Sequence, residues 1–254
     1  MPVPTPWSFG GCDRCDRSRA VERTRVTPDR LVSVVLPAHN QADHIGEVVQ
    51  EYTAALGRMP LRHELVLVPN GSKDATEAVC AGLAATLPHV RSEPLARSGW
   101  GRAVRTGLAR ATGDLLCYTN SARTTPAELT LTILYAATHP DTVVKANRKI
   151  REHWSRRLGS LLYNLECRAL FDLSCWDVNG TPKVFPRSCD RLLRLRRDDD
   201  LIDAEFVRTC REAGYPMLEV PVFSSRRHGG KSTTNLASAF RMYWGAWAMR
   251  HDAG

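Results

Sequence analysis

From Leu31 onward, short runs of branched apolar residues alternate with longer stretches in which apolar side chains recur every three or four positions. Residues 32–36 and 64–68 read as strands, because β-branched side chains suit a pleated, buried surface. Residues 43–59 and 74–87 carry the helical period between and after them. That rhythm predicts βαβ units, and hence a parallel sheet covered by helices. A further helix is expected over 101–111 and a strand over 115–118. The sharpest start signal is Thr125-Pro126-Ala127-Glu128. It offers a threonine N-cap, a proline where no N–H is needed and a glutamate able to reach back to the cap amide. Asp74 followed by Glu77 is a weaker signal of the same kind.

Beyond a strand at 142–145 the regularity loosens. A basic amphipathic segment covers 153–170, a short strand 183–185, a helix begins near Asp203, a strand follows at 217–222, and a last helix ends the chain. The first thirty residues, with Pro2, Pro4 and Pro6 and no sustained period, read as a tail or cap. The expected organisation is thus a tail over 1–30, one α/β domain over 31–235 and an amphipathic helix over 236–254.

Composition fits one sizeable core. A chain of 254 residues buries roughly three quarters of its unfolded surface, and 43% hydrophobic with 24% charged residues argues against disorder. The net charge of +8 changes the picture more, because it calls for an anionic partner: nucleic acid, an anionic membrane surface or a phosphorylated substrate. Zinc-finger spacing, a basic zipper and an aromatic RNA-binding motif are all missing, so no nucleic-acid partner is expected. No apolar run approaches the roughly 18 residues of a membrane span. The start Met1-Pro2-Val3-Pro4 lacks leader character, so a cytoplasmic location is expected, with any membrane contact peripheral, on the inner face. Cys80, Cys117, Cys167, Cys175, Cys189 and Cys210 stand singly in apolar or helical stretches and read as buried thiols. Cys12 and Cys15 form a CxxC without a second pair nearby, which favours an incidental pair over a zinc site.

Ligands of open parallel sheets bind beyond the carboxyl ends of the strands. Three polar turns fall there: Pro37-Ala38-His39-Asn40, Asn70-Gly71-Ser72 and Asn120-Ser121-Ala122-Arg123. The segment Ser33-Val34-Val35-Leu36-Pro37-Ala38-His39-Asn40 resembles the opening strand of family 2 glycosyltransferases, and Asn70-Gly71-Ser72-Lys73-Asp74 resembles their second-strand turn. The likeness continues through Gly99-Trp100-Gly101-Arg102 to Leu108. Asp177-Val178-Asn179-Gly180, Asp203-Ala204-Glu205-Phe206, Glu219-Val220-Pro221-Val222 and Arg226-Arg227-His228-Gly229-Gly230-Lys231 are similar to the polyprenyl-phosphate mannose and glucose synthase branch.

The resemblance implies a GT-A fold, a Rossmann-like, mostly parallel sheet with helices on both faces. It also implies transfer of a sugar, with inversion, from a UDP- or GDP-sugar to a polyprenyl phosphate or a small hydroxyl acceptor. Pro37, Ala38, His39, Asn40, Asn70, Gly71, Arg102, Asn120, Ser121 and Ala122 would then line the donor, and Arg123, Arg226, Arg227, His228 and Lys231 the phosphates or acceptor. Asp203 is the implied base where the acceptor is a neutral hydroxyl, and positions the acceptor or a cation where it is an anionic phosphate. Glu205 stands beside it in sequence, and two residues apart on a helix they cannot share a face. Two departures stand out. Pro69-Asn70 replaces the family's second-strand carboxylates, and Asn120-Ser121-Ala122 replaces the aspartates that bridge a divalent cation to the donor. Hard cations favour carboxylate oxygens, so weak or absent dependence on a divalent metal is expected, with arginine and lysine supplying more of the charge that stabilises the leaving diphosphate.

Other readings stay open. Asp74 caps a helix or meets a ligand. The stripe Trp154, Leu158, Leu161, Leu162 and Leu165 is expected to face the core, and an interfacial helix is the alternative. Ala237, Phe240, Trp244 and Trp247 repeat that theme, as a membrane face or a dimer interface. Arg191, Arg194, Arg196 and Arg197 are expected to pair with Asp198, Asp199 and Asp200 in a solvated turn. A soluble natural-product glycosyltransferase and a non-catalytic nucleotide-sugar-binding homologue complete the alternatives.

Overall fold

The computed structural model describes residues 29–150, 154–223 and 243–248, with side chains placed for all of these but 149–150 and 154–160. Strand and helix alternate as β1 (Leu31–Ala38), α1 (Ile45–Leu56), β2 (Arg62–Pro69), α2 (Thr76–Thr86), β3 (Val90–Ser92), α3 (Trp100–Arg110), β4 (Leu115–Tyr118) and α4 (Pro126–Thr138). They continue as β5 (Val143–Ile150), α5 (Trp154–Phe171), β6 (Lys183–Pro186), α6 (Ile202–Ala213) and β7 (Met217–Phe223). The seven strands form one sheet in the order β3-β2-β1-β4-β6-β5-β7.

The pairings β2·β3, β1·β2, β1·β4 and β5·β7 are parallel, whereas β6 runs antiparallel to both β4 and β5. The sheet is therefore mostly parallel, as expected. Its strands bury both faces, which explains their continuous apolar character. Val35, Val66 and Val68 meet α3 and α6 on one side. Val34, Leu36, Leu65 and Leu67, one position out of phase, meet α1 and α4 on the other.

The capping box at Thr125 forms as expected: Thr125 Oγ1 accepts the Glu128 amide and Glu128 accepts the Thr125 amide. All six single cysteines are buried and free. Burial pushes the Cys80 thiol up to about 12 and the Cys189 thiol up to about 11, so neither is a thiolate near neutrality.

Two expectations need correction. Of the apolar stripe on α5, Leu161, Leu162 and Leu165 are exposed, whereas Tyr163 and Cys167 face the core. These three leucines mark the outer face, Trp154 and Leu158 lying outside the described side chains, because the inner face is made of Tyr163, Asn164 and Cys167, none of which raises the apolar signal as leucine does. Asp198 pairs with Arg102 and Arg105 of α3 instead of with the arginines that precede it. The strand β3 was not anticipated, since three residues are too few to show a period.

Candidate active site

β1, β2 and β4 run parallel, so Ala38, Pro69 and Tyr118 end on one edge of the sheet. The three polar turns are therefore neighbours. They are also bonded to one another. Asn40 adopts φ 51°, a left-handed conformation that asparagine tolerates, and its Oδ1 accepts the Lys73 amide at 2.8 Å. His39 Nδ1 lies 2.7 Å from the Asn70 carbonyl, and Asn40 Nδ2 lies 3.2 Å from His39 Nε2. This pattern assigns the proton to Nδ1 and leaves Nε2 as acceptor. Ser121 Oγ donates to Gln41 Oε1 at 2.7 Å, which ties the third turn to the first.

Asn70 is buried and braces the edge. Its Nδ2 donates to the carbonyls of Ala38 and Val68, and its Oδ1 accepts the Gly99 amide, so both donors serve the protein itself. Gly71 follows at φ 58°, where an added Cβ would stand 2.4 Å from the Ser98 nitrogen; glycine is required by conformation and by space. Asp74 accepts the Thr76 amide and also the Ala42 amide. Burial opposes its ionisation, but hydrogen bonds from Thr76 and Ala42 overcome that and hold the carboxyl below its ordinary range. Asp74 thus fastens the start of α2 to the first turn.

In the third turn Asn120 Oδ1 accepts the Ala122 amide, and its carbonyl accepts the Arg123 and Thr124 amides. Ser121 is buried with its hydroxyl engaged, and Ala122 offers no side-chain ligand. These neutral oxygens, already committed, do not fit a hard divalent cation, and among the described residues no cluster of metal-ligating side chains occurs elsewhere.

Asp203 lies at the same edge, because Tyr118 of β4 pairs with Lys183 at the start of antiparallel β6. Its Oδ1 accepts Lys183 Nζ and Tyr118 OH, the latter at 2.8 Å, and its Oδ2 accepts Trp100 Nε1 at 3.2 Å. Burial first, and the Asp203 carboxylate second, push the Tyr118 phenol well above its ordinary value, so it stays a donor. Burial pulls Lys183 below the usual lysine range, with Asp203 opposing. Glu205 points elsewhere: its carboxylate accepts the amides of Arg196 and Arg197. Arg102 is engaged by Asp198, 2.8 Å away. Glu205 and Arg102 thus hold the 196–200 loop against α3 and α6. Gly101 lets that loop approach, since a Cβ there would lie 2.4 Å from the Arg197 carbonyl oxygen.

Next to this pair lies a second buried charge cluster. Lys145 of β5, the cross-strand partner of Lys183, donates to Glu219 Oε1 at 2.9 Å and to the Asp177 carbonyl. Asp177 takes both Nε and Nη2 of Arg148. Burial works against the Arg148 charge, yet Asp177 prevails and raises it further. Trp100, Tyr118, Lys145, Arg148 and Lys183 were not picked out from sequence as site residues. The available signal was a lysine inside an apolar strand, at Lys145 and again at Lys183. Arg226, Arg227, His228 and Lys231 lie outside the described residues, as do Cys12 and Cys15.

This sheet, with its polar turns gathered at one carboxyl edge and its antiparallel strand beside β4, is the GT-A architecture. Residues 33–189 match Glycosyl transferase family 2, and the chain belongs to that family. It is 28% identical over 216 residues to an undecaprenyl-phosphate 4-deoxy-4-formamido-L-arabinose transferase of Sodalis glossinidius (strain morsitans), covering 83% of this chain and 65% of the relative. A match to a second such transferase, of Enterobacter sp. (strain 638), likewise spans 64% of its length, so the chain spans under two thirds of these relatives. Over 99 residues it is 39% identical to glucosyl-3-phosphoglycerate synthase of Mycolicibacterium smegmatis, covering 36% of this chain and 31% of that one. The fold is shared with the glucosyl-3-phosphoglycerate synthase of Mycobacterium tuberculosis in complex with Mn2+, UDP-glucose and phosphoglyceric acid, with a TM-score of 0.68. That likeness is 20% identical and covers 89% of this chain and 81% of that structure.

Proposed function

We propose that this protein transfers a sugar from a nucleotide diphosphate sugar, with inversion, to an acceptor that carries a phosphate. The observation that carries this reading is the convergence of the Asn40, Asn70 and Asn120 turns with Asp203 on one sheet edge, in a chain of family 2. Two relatives support the acceptor class, since one is named for undecaprenyl phosphate and the other for 3-phosphoglycerate. The net charge of +8 agrees with two anionic substrates. Pro37, Ala38, His39, Asn40 and the backbone of Asn70 and Gly71 flank the nucleoside. Asn120, Ser121, Ala122 and Arg123 adjoin the diphosphate, and Arg226, Arg227, His228 and Lys231 complete the anion site. Asp203 serves the reacting centre; Arg102 and Glu205 act by fixing the 196–200 loop.

UDP is the favoured nucleotide, and the neutral donor set at Asn120 supports transfer without a bound ion. The test is a mass-spectrometric screen of UDP- and GDP-sugars against polyprenyl phosphate, phosphoglycerate and neutral alcohols, with and without chelator. Product with a phosphorylated acceptor in chelator is expected. Nucleotide binding without product from any acceptor would favour a non-catalytic homologue, and product from neutral alcohols alone would favour the natural-product reading. Anomeric coupling constants in the product check inversion.

Contact with an anionic membrane surface is the finer proposal for the polyprenyl acceptor. No described helix is long and apolar enough to cross a membrane. Leu161, Leu162 and Leu165 on α5 and Trp244 and Trp247 are exposed, and Arg168 sits 4.0 Å from the centre of the exposed Trp176 ring. Leucine flanked by tryptophan and arginine suits a lipid headgroup boundary. Co-sedimentation with anionic liposomes at low salt is expected; a concentration-dependent dimer without liposome binding would assign the face to a second copy.

A further inference from the structure

Lys183 has no exposed surface, and its ammonium is enclosed by Asp203 and by the rings of Tyr118 and Phe206, whose centroids lie 5.3 and 5.6 Å away. Lys145, its neighbour across the strands, has Glu219 as counter-ion, so Asp203 is the carboxylate that balances Lys183. A carboxylate has about four acceptor sites. On Asp203, Lys183 and Tyr118 occupy Oδ1 and Trp100 occupies one site of Oδ2, so that the described residues leave a single site on Oδ2 beside the indole. The chain of bonds continues. Gly99, adjoining Trp100, donates to Asn70 Oδ1, and Asn70 Nδ2 holds the Ala38 carbonyl. Lys183 therefore stands at one end of a relay that joins β6, α6, α3, β2 and β1 across the cleft edge.

We propose that Lys183 is a positioning residue for the transfer step, an inference that rests on the transferase reading above. It balances the Asp203 carboxylate and fixes its direction, so that its one remaining acceptor site receives a substrate hydroxyl at a set place. Without the ammonium the carboxylate has no directly paired cation among the described residues, since Arg148, which also acts on it, is bonded to Asp177. A merely structural Lys183 would behave differently: replaced in a chain that still folds and keeps Asp203, it would leave kcat unaltered.

The experiment uses the whole chain and Lys183→Met, alone and combined with Asp203→Asn, beside Asp203→Asn, Lys183→Arg and Tyr118→Phe. Readouts are the thermal midpoint, calorimetric binding of UDP and GDP, and kcat and KM for transfer or, failing an acceptor, donor hydrolysis. Folded Lys183→Met is expected to bind nucleotide within about threefold of the wild type and to lose about 100-fold in kcat, and the double variant to lose no more than Asp203→Asn alone. Lys183→Arg should recover part of that loss. Tyr118→Phe, which removes one donor from Oδ1 and keeps the ring, should lower kcat about fivefold at unchanged donor KM. A folded Lys183→Met with wild-type kcat overturns the proposal, and so, if Lys183→Met does not fold, does an unaltered kcat in Tyr118→Phe. A wild type that binds neither nucleotide and turns over no donor overturns the transferase reading first, and this inference with it; nucleotide binding and turnover in the wild type separate the two.

Discussion

The two halves of the sheet terminate in opposite ways. Where β1, β2 and β4 end, the edge is built from neutral amides and hydroxyls: Asn40, Asn70, Gln41 and Ser121 bond to one another and to backbone. Where β5, β6 and β7 approach the same edge, three cations (Lys145, Arg148 and Lys183) face three carboxylates (Glu219, Asp177 and Asp203) at low exposure. The neutral half can receive an anion without rearranging any charge. The charged half is balanced internally, so it contributes orientation and not net attraction. The additional positive field that an anionic substrate needs must come from outside these pairs.

Breaking the charged half at Asp203 should have the largest effect. Asp203→Asn keeps the shape and is expected to lower kcat by about 10²- to 10⁴-fold with UDP binding intact, read by steady-state kinetics and calorimetry. Glu219→Gln comes next, because it leaves Lys145, which has no exposed surface, without its counter-ion. A loss of about 3 kcal/mol in denaturant unfolding is expected, and adding Lys145→Met should recover much of it. Gly101→Ala tests the junction between the halves: the new methyl meets the Arg197 carbonyl and must displace the 196–200 loop, at about 1–3 kcal/mol. Thr125→Ala, on the neutral half, removes one cap bond and should cost about 1 kcal/mol.

The smallest effect concerns pH. Hydrogen bonds and charge from Arg102, then Arg105, hold Asp198 below the usual carboxylate range. A depressed folded-state pKa gives stability that is present above the ordinary aspartate value and is lost as pH falls through the lower, folded one. Asp198 and its partners are substantially exposed, so screening limits the contribution to under about 1 kcal/mol. Asp198→Asn should flatten that part of the acid limb of the stability curve, lowering stability by under about 1 kcal/mol near neutrality and leaving it unchanged below the folded-state pKa.

Legibility in the sequence followed the same division. The βαβ half was readable because both faces of its strands are buried by helices, and local period and caps report that directly. β6 was read as a strand, but its antiparallel direction was not, since pairing partners are not encoded in a four-residue segment. Asp203 was legible by resemblance and Glu205 as its neighbour. Their separate roles emerged only when α6 was docked, with Asp203 turned to Lys183 and Glu205 to the 196–197 amides. The leucine stripe of α5 misled because periodicity reports that a helix has an apolar face without reporting which side the core lies on.

The sequence by itself determined the parallel βαβ frame, the polar turns that end its strands, the missing carboxylates at Asn120 and the family. These are local or linear properties, set by side-chain period, turn chemistry and residue identity. Only the tertiary structure decided that Asn70 spends its donors on Ala38 and Val68, that Asp198 pairs with α3, and that Lys183, Tyr118 and Trp100 converge on Asp203. Those contacts join residues as many as 103 positions apart, and a hydrogen bond depends on the distance and direction between two atoms, which packing alone supplies.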